Sequence, residues 1–515
     1  MFTEQDIQQI KNHGLTVEKV NAQIERIKSG MSYSNLVDAA TIGNGVLRKN
    51  DEQQQSSIDF FESKRSELSM VKFVPASGAA TRMFKFLFQF LNEFKPNEES
   101  FESYQEQEKN KDISTFIKGL ENFPYYEIVK KKMEQTNPNV DSLPLGEQYI
   151  LFVQTMLHAN RLNYSFFPKG LLPFHKYENH VSTAFQEHLL EATMYVTSGN
   201  VTSLHFTISD AHKTMFQDEL NLIKDKLEKE NNTQFDVSFS CQSKSTDTIA
   251  ITSKDELYRT EDNELLFRPS GHGALIENLN ALDFDLIFIK NIDNIVVLEQ
   301  NIEISNYKKM LAGILLQIQK QAFKYLNNLD DNEISEDEVN NIELFVINRI
   351  NVEIEDAYQN FTLKEKRAYL HNKLNRPIRV CGMVKNEGEP GGGPFWVKDE
   401  NGVISLQIVE FAQIDIENQS QRNIVDNATH FNPTDLVCAV KDYKGNKFDL
   451  TKYIDTNAAF ITIKSQNGTD IKALERPGLW NGSMAHWNSI FVEIPLLTFN
   501  PVKIVNDLLK PAHQV

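Results

Sequence analysis

The segment Val71-Lys-Phe-Val-Pro-Ala-Ser-Gly-Ala-Ala-Thr-Arg-Met-Phe-Lys85 constrains the fold of this chain more than any other. A short apolar run predicts a strand over Val71–Pro75. Small residues follow, then Thr81 and Arg82, then an apolar stretch suited to a helix. Small residues let a backbone approach a ligand closely, and a helix start offers unpaired N–H groups to an anion. Arg82 adds a permanent positive charge. By itself the segment reads equally as tight strand-to-helix packing or as a phosphate loop built from Ser77, Gly78, Ala79, Thr81 and Arg82.

The strand-then-helix step recurs. Leu204–Ile208 predicts a strand followed by a helix through Leu222, and Phe235–Phe239 and Phe284–Ile289 predict further strands. Strands alternating with helices imply βαβ units and an α/β fold with a mainly parallel sheet. Residues 1–68 read as mostly helical, with Ile7, Ile10, Val17, Val20, Ile24 and Ile27 at helical spacing. Residues 95–140 look like a helical insertion. Helices are expected over 145–160 and 178–196, and over 301–372, where Met310, Ile314, Leu315 and Ile318 share one face. The last part turns β-rich, with strands expected at Ile378–Val384, Val403–Phe411, Ala458–Ile463 and Phe491–Pro495 and a helix at Val502–Leu509. The domain reading is a helical region over 1–68, the first half of an α/β core over 69–300 with an insertion at about 86–165, a helical insertion over 301–375, and the second half with a β-rich region over 376–515.

Composition narrows the function classes. With 53 Lys and Arg against 71 Asp and Glu, the formal charge of −18 argues against broad nucleic-acid binding, which needs a basic face. Cys241, Cys381 and Cys438 are odd in number and far apart, so reduced, mostly buried thiols are expected rather than a disulfide framework or a metal site. The polar, acidic start lacks the pattern of a signal peptide, and the apolar runs are too short to span a bilayer. A cytoplasmic setting is the expectation.

Three more segments carry chemistry. Phe267-Arg-Pro-Ser-Gly-His-Gly-Ala-Leu-Ile-Glu-Asn-Leu279 brackets His272 with Gly271 and Gly273 just before an apolar helix. Bare backbone there suits a base or ribose; a plain helix entry with a surface histidine is the other reading. Asn291-Ile-Asp-Asn294 follows an apolar strand, where open parallel sheets place ligands. Asp293 is then a natural Mg²⁺ ligand, since Mg²⁺ takes one or two carboxylates plus phosphate oxygens; a turn rich in Asn and Asp is the alternative. Phe167-Pro-Lys-Gly170 gains meaning as a companion to Arg82.

Taken in order, Ser77–Arg82, Pro168-Lys169-Gly170, Pro269–Gly273 and Asn291–Asn294 resemble the motifs of UDP-sugar pyrophosphorylases, nucleotidyltransferases with a GT-A-like fold. Leu204–Thr214, with Thr207, Ser209 and His212, Gln242, Val409-Glu-Phe-Ala412 and Asn500-Pro-Val-Lys503 resemble further phrases of that family. Over nearly its full length the chain is identified as a member of domain of unknown function 4301, a family of Bacteroidota. The resemblance implies a GT-A-like (Rossmann-like) mixed, mainly parallel sheet flanked by helices, with helical insertions and a β-rich C-terminal part. It also implies a nucleotidyltransferase joining a sugar 1-phosphate to a nucleoside triphosphate, UTP favoured, with release of pyrophosphate. Arg82 and Lys169 would be catalytic. Ser77, Gly78, Ala79, Thr81, Gln242, Gly271, His272 and Gly273 would bind the nucleotide, Asn291 and Glu410 the sugar, and Asp293 Mg²⁺. A GT-A-like glycosyltransferase and a non-catalytic nucleotide- or sugar-phosphate-binding protein are the alternatives. The phosphate loop has one glycine where that family usually has three. Gly388–Trp396 and Pro477-Gly-Leu-Trp-Asn-Gly482 match no family phrase; the former reads as a substrate loop or a linker, the tryptophans as packing.

Overall fold

Strand Met70–Pro75 forms where its apolar residues demand burial, and it ends at Pro75, which has no N–H to continue a ladder. The computed structural model describes residues 2–389 and 391–515. The chain divides into two compact units, and it passes between them inside this strand. One unit is Met1–Phe73, Ser240–Ile289 and Tyr307–Thr498; the other is Val74–Phe239, Lys290–Asn306 and Phe499–Val515.

In the first unit the main sheet runs, in spatial order, Thr41–Ile42, Gly45–Leu47, Asn488–Glu493, Ile378–Lys385, His430–Ala439, Leu286–Ile289 and Met70–Pro75. Leu286–Ile289 pairs parallel with Met70–Phe73, and Ile378–Lys385 pairs parallel with Asn488–Glu493. His430–Ala439 pairs antiparallel with both of its neighbours, so the sheet is mixed and mainly parallel. Its core joins Val71, Phe73, Ile287, Ile289, Cys381, Cys438 and Phe491 to Leu275, Ile276 and Leu279 of the short helix that follows His272. A four-stranded sheet, Phe267–Arg268, Thr248–Thr252, Thr469–Glu475 and Phe460–Gln466, packs against the first two helices through Ile10, Val20, Ile249 and Ile251. Asn35–Ala39, Gly392–Lys398 and Ile404–Glu410 make a three-stranded sheet.

The second unit holds strands Val201–Ile208 and Gln234–Cys241 (the latter as far as Phe239) and the hairpin Pro173–Lys176 with Val181–Thr183. Its helices include Lys85–Glu93, Leu145–Leu157, Ala184–Tyr195 and Lys213–Asn231. The expected insertion folds as short helices, among them Lys111–Lys118 and Tyr126–Thr136. Aromatic rings hold it together: Phe90, Phe94, Phe101 and Tyr104 pack with centroids 5.1–6.0 Å apart.

Four expectations need correction. Residues 1–68 carry helices Glu4–Asn12, Val17–Ser29 and Asp51–Lys64 but also three short strands; Asn35–Ala39 and Gly45–Leu47 pair with distant strands, and Thr41–Ile42 pairs with Gly45–Leu47. Val502–Leu509 is no α-helix; only a 3₁₀ segment, Val505–Leu509, forms there. The expected loop or linker over Gly388–Trp396 holds only before Gly392. Gly392–Lys398 is the central strand of its sheet, and a Cβ on Gly392 would sit 2.2 Å from the Val409 carbonyl, so close pairing requires glycine. Pro390 of that run lies outside the described residues. Trp487 is buried as expected, but Trp480 stacks on His272 rather than only filling the core. Cys381 and Cys438 are buried and Cys241 is half-buried.

Candidate functional site

In the second unit the chain leaves Pro75 in extended form and makes a 3₁₀ turn at Ala80–Arg82 before helix Lys85–Glu93 begins. The loop is held by backbone on both sides. Ala76 N–H donates to the Thr207 carbonyl (2.8 Å), Ala80 N–H to that of Phe167 (3.2 Å), and Lys169 N–H to that of Gly78 (3.1 Å). The Arg82 loop and the Pro-Lys segment, far apart in sequence, are thus paired side by side. Ser209 and His212 support the second of them: Ser209 Oγ contacts His212 Nδ1 (2.7 Å) and His212 Nε2 contacts the Phe166 carbonyl (2.9 Å). Ser77, Gly78, Ala79, Thr81 and Arg82 are exposed. Gly78 has an ordinary negative φ and open space where a Cβ would stand. Its own fold does not require glycine there.

Lys169, Asp293 and Lys503 meet next to this loop. Lys169 Nζ donates to Asp293 Oδ2 (3.0 Å) and to the Val502 carbonyl (2.8 Å), and Lys503 Nζ lies 3.5 Å from the same carboxylate oxygen. Backbone locks the two carriers together. Val502 N–H donates to the Asp293 carbonyl (3.0 Å) and Asn500 N–H to Asn294 Oδ1 (2.8 Å). Val505 N–H reaches the Met83 carbonyl (3.1 Å), which sets this segment against the turn bearing Arg82. Asn291 closes the turn by accepting from Asn294 N–H. Burial alone would raise the Asp293 carboxyl, but the Lys169 and Lys503 ammoniums outweigh it and hold the group below its ordinary value. The cluster therefore carries one anion against two cations. The Lys503 side chain is 64% exposed, so its charge faces solvent while that of Lys169 is largely enclosed.

The remaining candidates lie in the first unit. His272 Nδ1 accepts from Leu479 N–H (3.0 Å), which leaves the ring proton on Nε2, and the ring stacks on Trp480 at 4.6 Å. Burial lowers its pKa, against the opposing pull of Glu410 and Glu475, so the ring is neutral at pH 7. Gly271 has φ +80°, and Gly273 lies so close to Pro477 that a Cβ would fall 2.0 Å from its carbonyl oxygen. The bare backbone of Gly273 is thus taken up by the chain itself. Glu410 Oε1 accepts from Asn481 Nδ2 (2.8 Å), and Gln242 Nε2 donates to Thr246 Oγ1 (3.0 Å). The loop Pro477–Gly482 therefore ties the His272 and Glu410 segments together. A cavity of about 630 Å³ in this unit is lined by Arg26, Lys398, Gln407, Asp455 and His486 among others, and by none of the predicted site residues.

Sequence reasoning gave no role to Lys503, although Asn500–Lys503 was a recognised phrase, nor to Asn481 and Trp480. No group of three or more His, Cys, Asp or Glu suited to a metal occurs among the described residues. Asp293, the residue expected to take Mg²⁺, has its Oδ2 engaged by Lys169 and Lys503.

Fold and cluster define an α/β protein with a lysine–aspartate–lysine centre beside a strand-to-helix loop. The chain belongs to the family described as domain of unknown function (DUF4301), whose profile matches residues 3–514. The comparison with curated proteins finds no match. Among solved structures it resembles a UDP-glucose pyrophosphorylase variant from Leishmania major in complex with UDP-glucose, at 13% identity and a TM-score of 0.43, covering 98% of this chain and 77% of that one. It also resembles the uridine diphosphate N-acetylglucosamine pyrophosphorylase of Trypanosoma brucei in complex with an inhibitor, at 10% identity and 0.46, covering 98% and 79%. Likeness at this distance assigns no activity.

Proposed function

We propose that this protein transfers a nucleotidyl group from a nucleoside triphosphate, UTP in the first instance, to a sugar 1-phosphate and releases pyrophosphate. The observation that carries the reading is the Lys169–Asp293–Lys503 cluster next to the loop bearing Arg82. The order of motifs along the sequence supports it. In such a transfer a phosphate oxygen of the sugar phosphate forms a bond to the α-phosphorus as the bond to the bridging oxygen breaks, and pyrophosphate leaves with that electron pair. The acceptor is already an anion, so no proton need be removed. Positioning and charge neutralisation carry most of the catalysis.

Lys169 and Lys503 neutralise charge at the α-phosphate, and Arg82 holds the departing phosphates. Asp293 keeps both ammoniums within 3.5 Å of one carboxylate oxygen and would hold Mg²⁺, which supplies further charge neutralisation when bound. Ser77, Gly78, Ala79 and Thr81 line the loop; Gln242 and His272 are assigned to the nucleotide, Asn291 and Glu410 to the sugar. Binding without turnover is the second reading, and one observation favours it: no residue of the Ala76–Arg82 loop has a positive φ, so the loop lacks the concave nest of N–H groups that cradles phosphate elsewhere. Pyrophosphate detection separates the two. With UTP, Mg²⁺ and a panel of sugar 1-phosphates the native protein is expected to release pyrophosphate, and Arg82→Ala to lose most of that activity while keeping its fold. UTP binding with no pyrophosphate from any acceptor would support the second reading instead.

A further inference from the structure

Helix Ala184–Tyr195 buries a polar stripe where an apolar one is the rule. Glu187, His188 and Glu191 are each fully buried. Burying three ionisable groups is unfavourable unless each finds a partner. Glu191 and His188 reach the segment that carries Asp293, and Glu187 reaches the segment that carries Lys503 by way of His175. Glu191 Oε1 accepts from Lys290 Nζ (2.6 Å), while its other oxygen accepts from Tyr195 OH (3.0 Å). His188 Nε2 contacts the carbonyl of Ile292 (3.1 Å), the residue before Asp293. Glu187 Oε1 lies 3.0 Å from His175 Nδ1, and His175 Nε2 lies 3.1 Å from His513 Nδ1. Those two rings stack at 5.4 Å. His513 belongs to the Phe499–Val515 segment, which delivers Lys503 and the Val502 carbonyl.

The two imidazoles connect Glu187 to the Lys503 segment. His175 Nδ1 faces the Glu187 carboxylate across 3.0 Å, with both groups fully buried. One proton lies between the facing nitrogens of His175 and His513. Burial, with His175 beside it, holds His513 low, at about 3, so its ring stays neutral and the link survives across the physiological range. Apolar packing of Ala512 with Val296 and Ile304 and the bond from Val297 N–H to the Ala512 carbonyl (3.1 Å) hold the same end of the segment.

We infer that the buried face of helix Ala184–Tyr195, together with the Glu187–His175–His513 relay, positions Asp293 and Lys503 with respect to each other. One rigid element indexes both carriers: Glu191 and His188 fix the Lys290–Asp293 turn, and Glu187 fixes the Lys503 segment through two imidazoles. Glu187, His175 and His513 are positioning residues. None of them touches the cluster itself.

The inference concerns the cluster on which the proposed function rests, so the test has one arm that needs no activity. Amide hydrogen exchange on the full chain reports Val502 and Val505, whose N–H groups bond to Asp293 and Met83. In His513→Ala these amides are expected to exchange about tenfold faster or more, with helix Ala184–Tyr195 and the sheet still protected. His513→Asn, whose side chain retains a polar atom near the Nδ1 position, is expected to restore native exchange. The second arm is inorganic pyrophosphate binding. His513→Ala is expected to weaken it about tenfold in the native background and to have no further effect in Lys503→Ala, because a positioning residue acts through the group it positions. Unchanged exchange at Val502 and Val505, or equal losses in both backgrounds, would overturn the inference. Native protein that binds neither pyrophosphate nor UTP would overturn the proposed function, and the exchange arm would still decide the relay.

Discussion

Two glycines show at the scale of single residues how fold and site place different demands on the same amino acid. Gly273 has a Pro477 carbonyl oxygen where its Cβ would be, so Gly273→Ala must push backbone against backbone. Overpacking of this kind destabilises by about 1–3 kcal/mol, and a matching drop in the unfolding free energy is expected in denaturant titration. Gly78 is exposed, its φ is ordinary, and nothing lies within 4 Å of the added carbon. Gly78→Ala is therefore expected to leave stability within about 0.5 kcal/mol of native, while weakening UTP binding if the ligand's phosphates approach the bare backbone. An equal loss of stability in both variants would remove the distinction. Lys503 makes the complementary point. Asp293 and Lys503 are 210 positions apart in sequence, and only the fold brings them to 3.5 Å. Lys169 and Asp293, 124 positions apart, could be named from their motifs, but nothing in the sequence says that the two side chains bond to each other.

At the scale of elements, helix Glu4–Asn12 docks through one charged contact whose pH dependence follows from its geometry. Arg259 grips Asp6 with both terminal nitrogens, at 2.9 and 2.8 Å, and Thr3 and Asp6 close a capping box. The Arg259 hydrogen bonds lower the Asp6 carboxyl from 3.8 to about 2, against the upward push of burial. A carboxyl with a lowered folded-state pKa stabilises fully above its unfolded value and loses that contribution as the pH falls through the folded one. Protection of the Glu4–Asn12 amides is therefore expected to hold above pH 4 and to fall between about pH 4 and 2, a window that Asp6→Asn should abolish. Protection that persists unchanged to pH 2 in the native chain would contradict this docking. Elements with one strong local signal were legible in the sequence: Met70–Pro75 from its apolar run, and Leu298–Asp330 from its helical period. His430–Ala439 was not, because Pro433 and Asp435 read against a strand. The structure accommodates both. Pro433 pairs beside a register shift opposite Met383, and Asp435 accepts a buried hydrogen bond from Lys308 (2.9 Å). Thr469–Glu475 is held by two antiparallel neighbours, one of them more than 200 residues away in sequence. Pairing of that kind leaves little local trace.

For the molecule as a whole, a net charge of −18 surrounds a centre where two lysines share one aspartate and Arg82 stands exposed on the neighbouring turn. Long-range attraction of a polyphosphate is weak for so acidic a chain, so binding must come from short contacts with these cations, screened little where they are enclosed. No helix among the described residues is long and apolar enough to cross a membrane. Hydrogen bonds to charged groups contribute about 1.5–3 kcal/mol each, which is about a 10- to 150-fold change in affinity. The central claim is that Lys169, Asp293 and Lys503 form a phosphate-binding centre, and calorimetric titration of UTP into the native chain and into Lys503→Ala tests it most directly. The exposed Lys503 side chain contributes little to the fold, so the variant is expected to melt like the native protein and to bind UTP about 10- to 150-fold more weakly. Equal affinity in the two proteins would contradict the account.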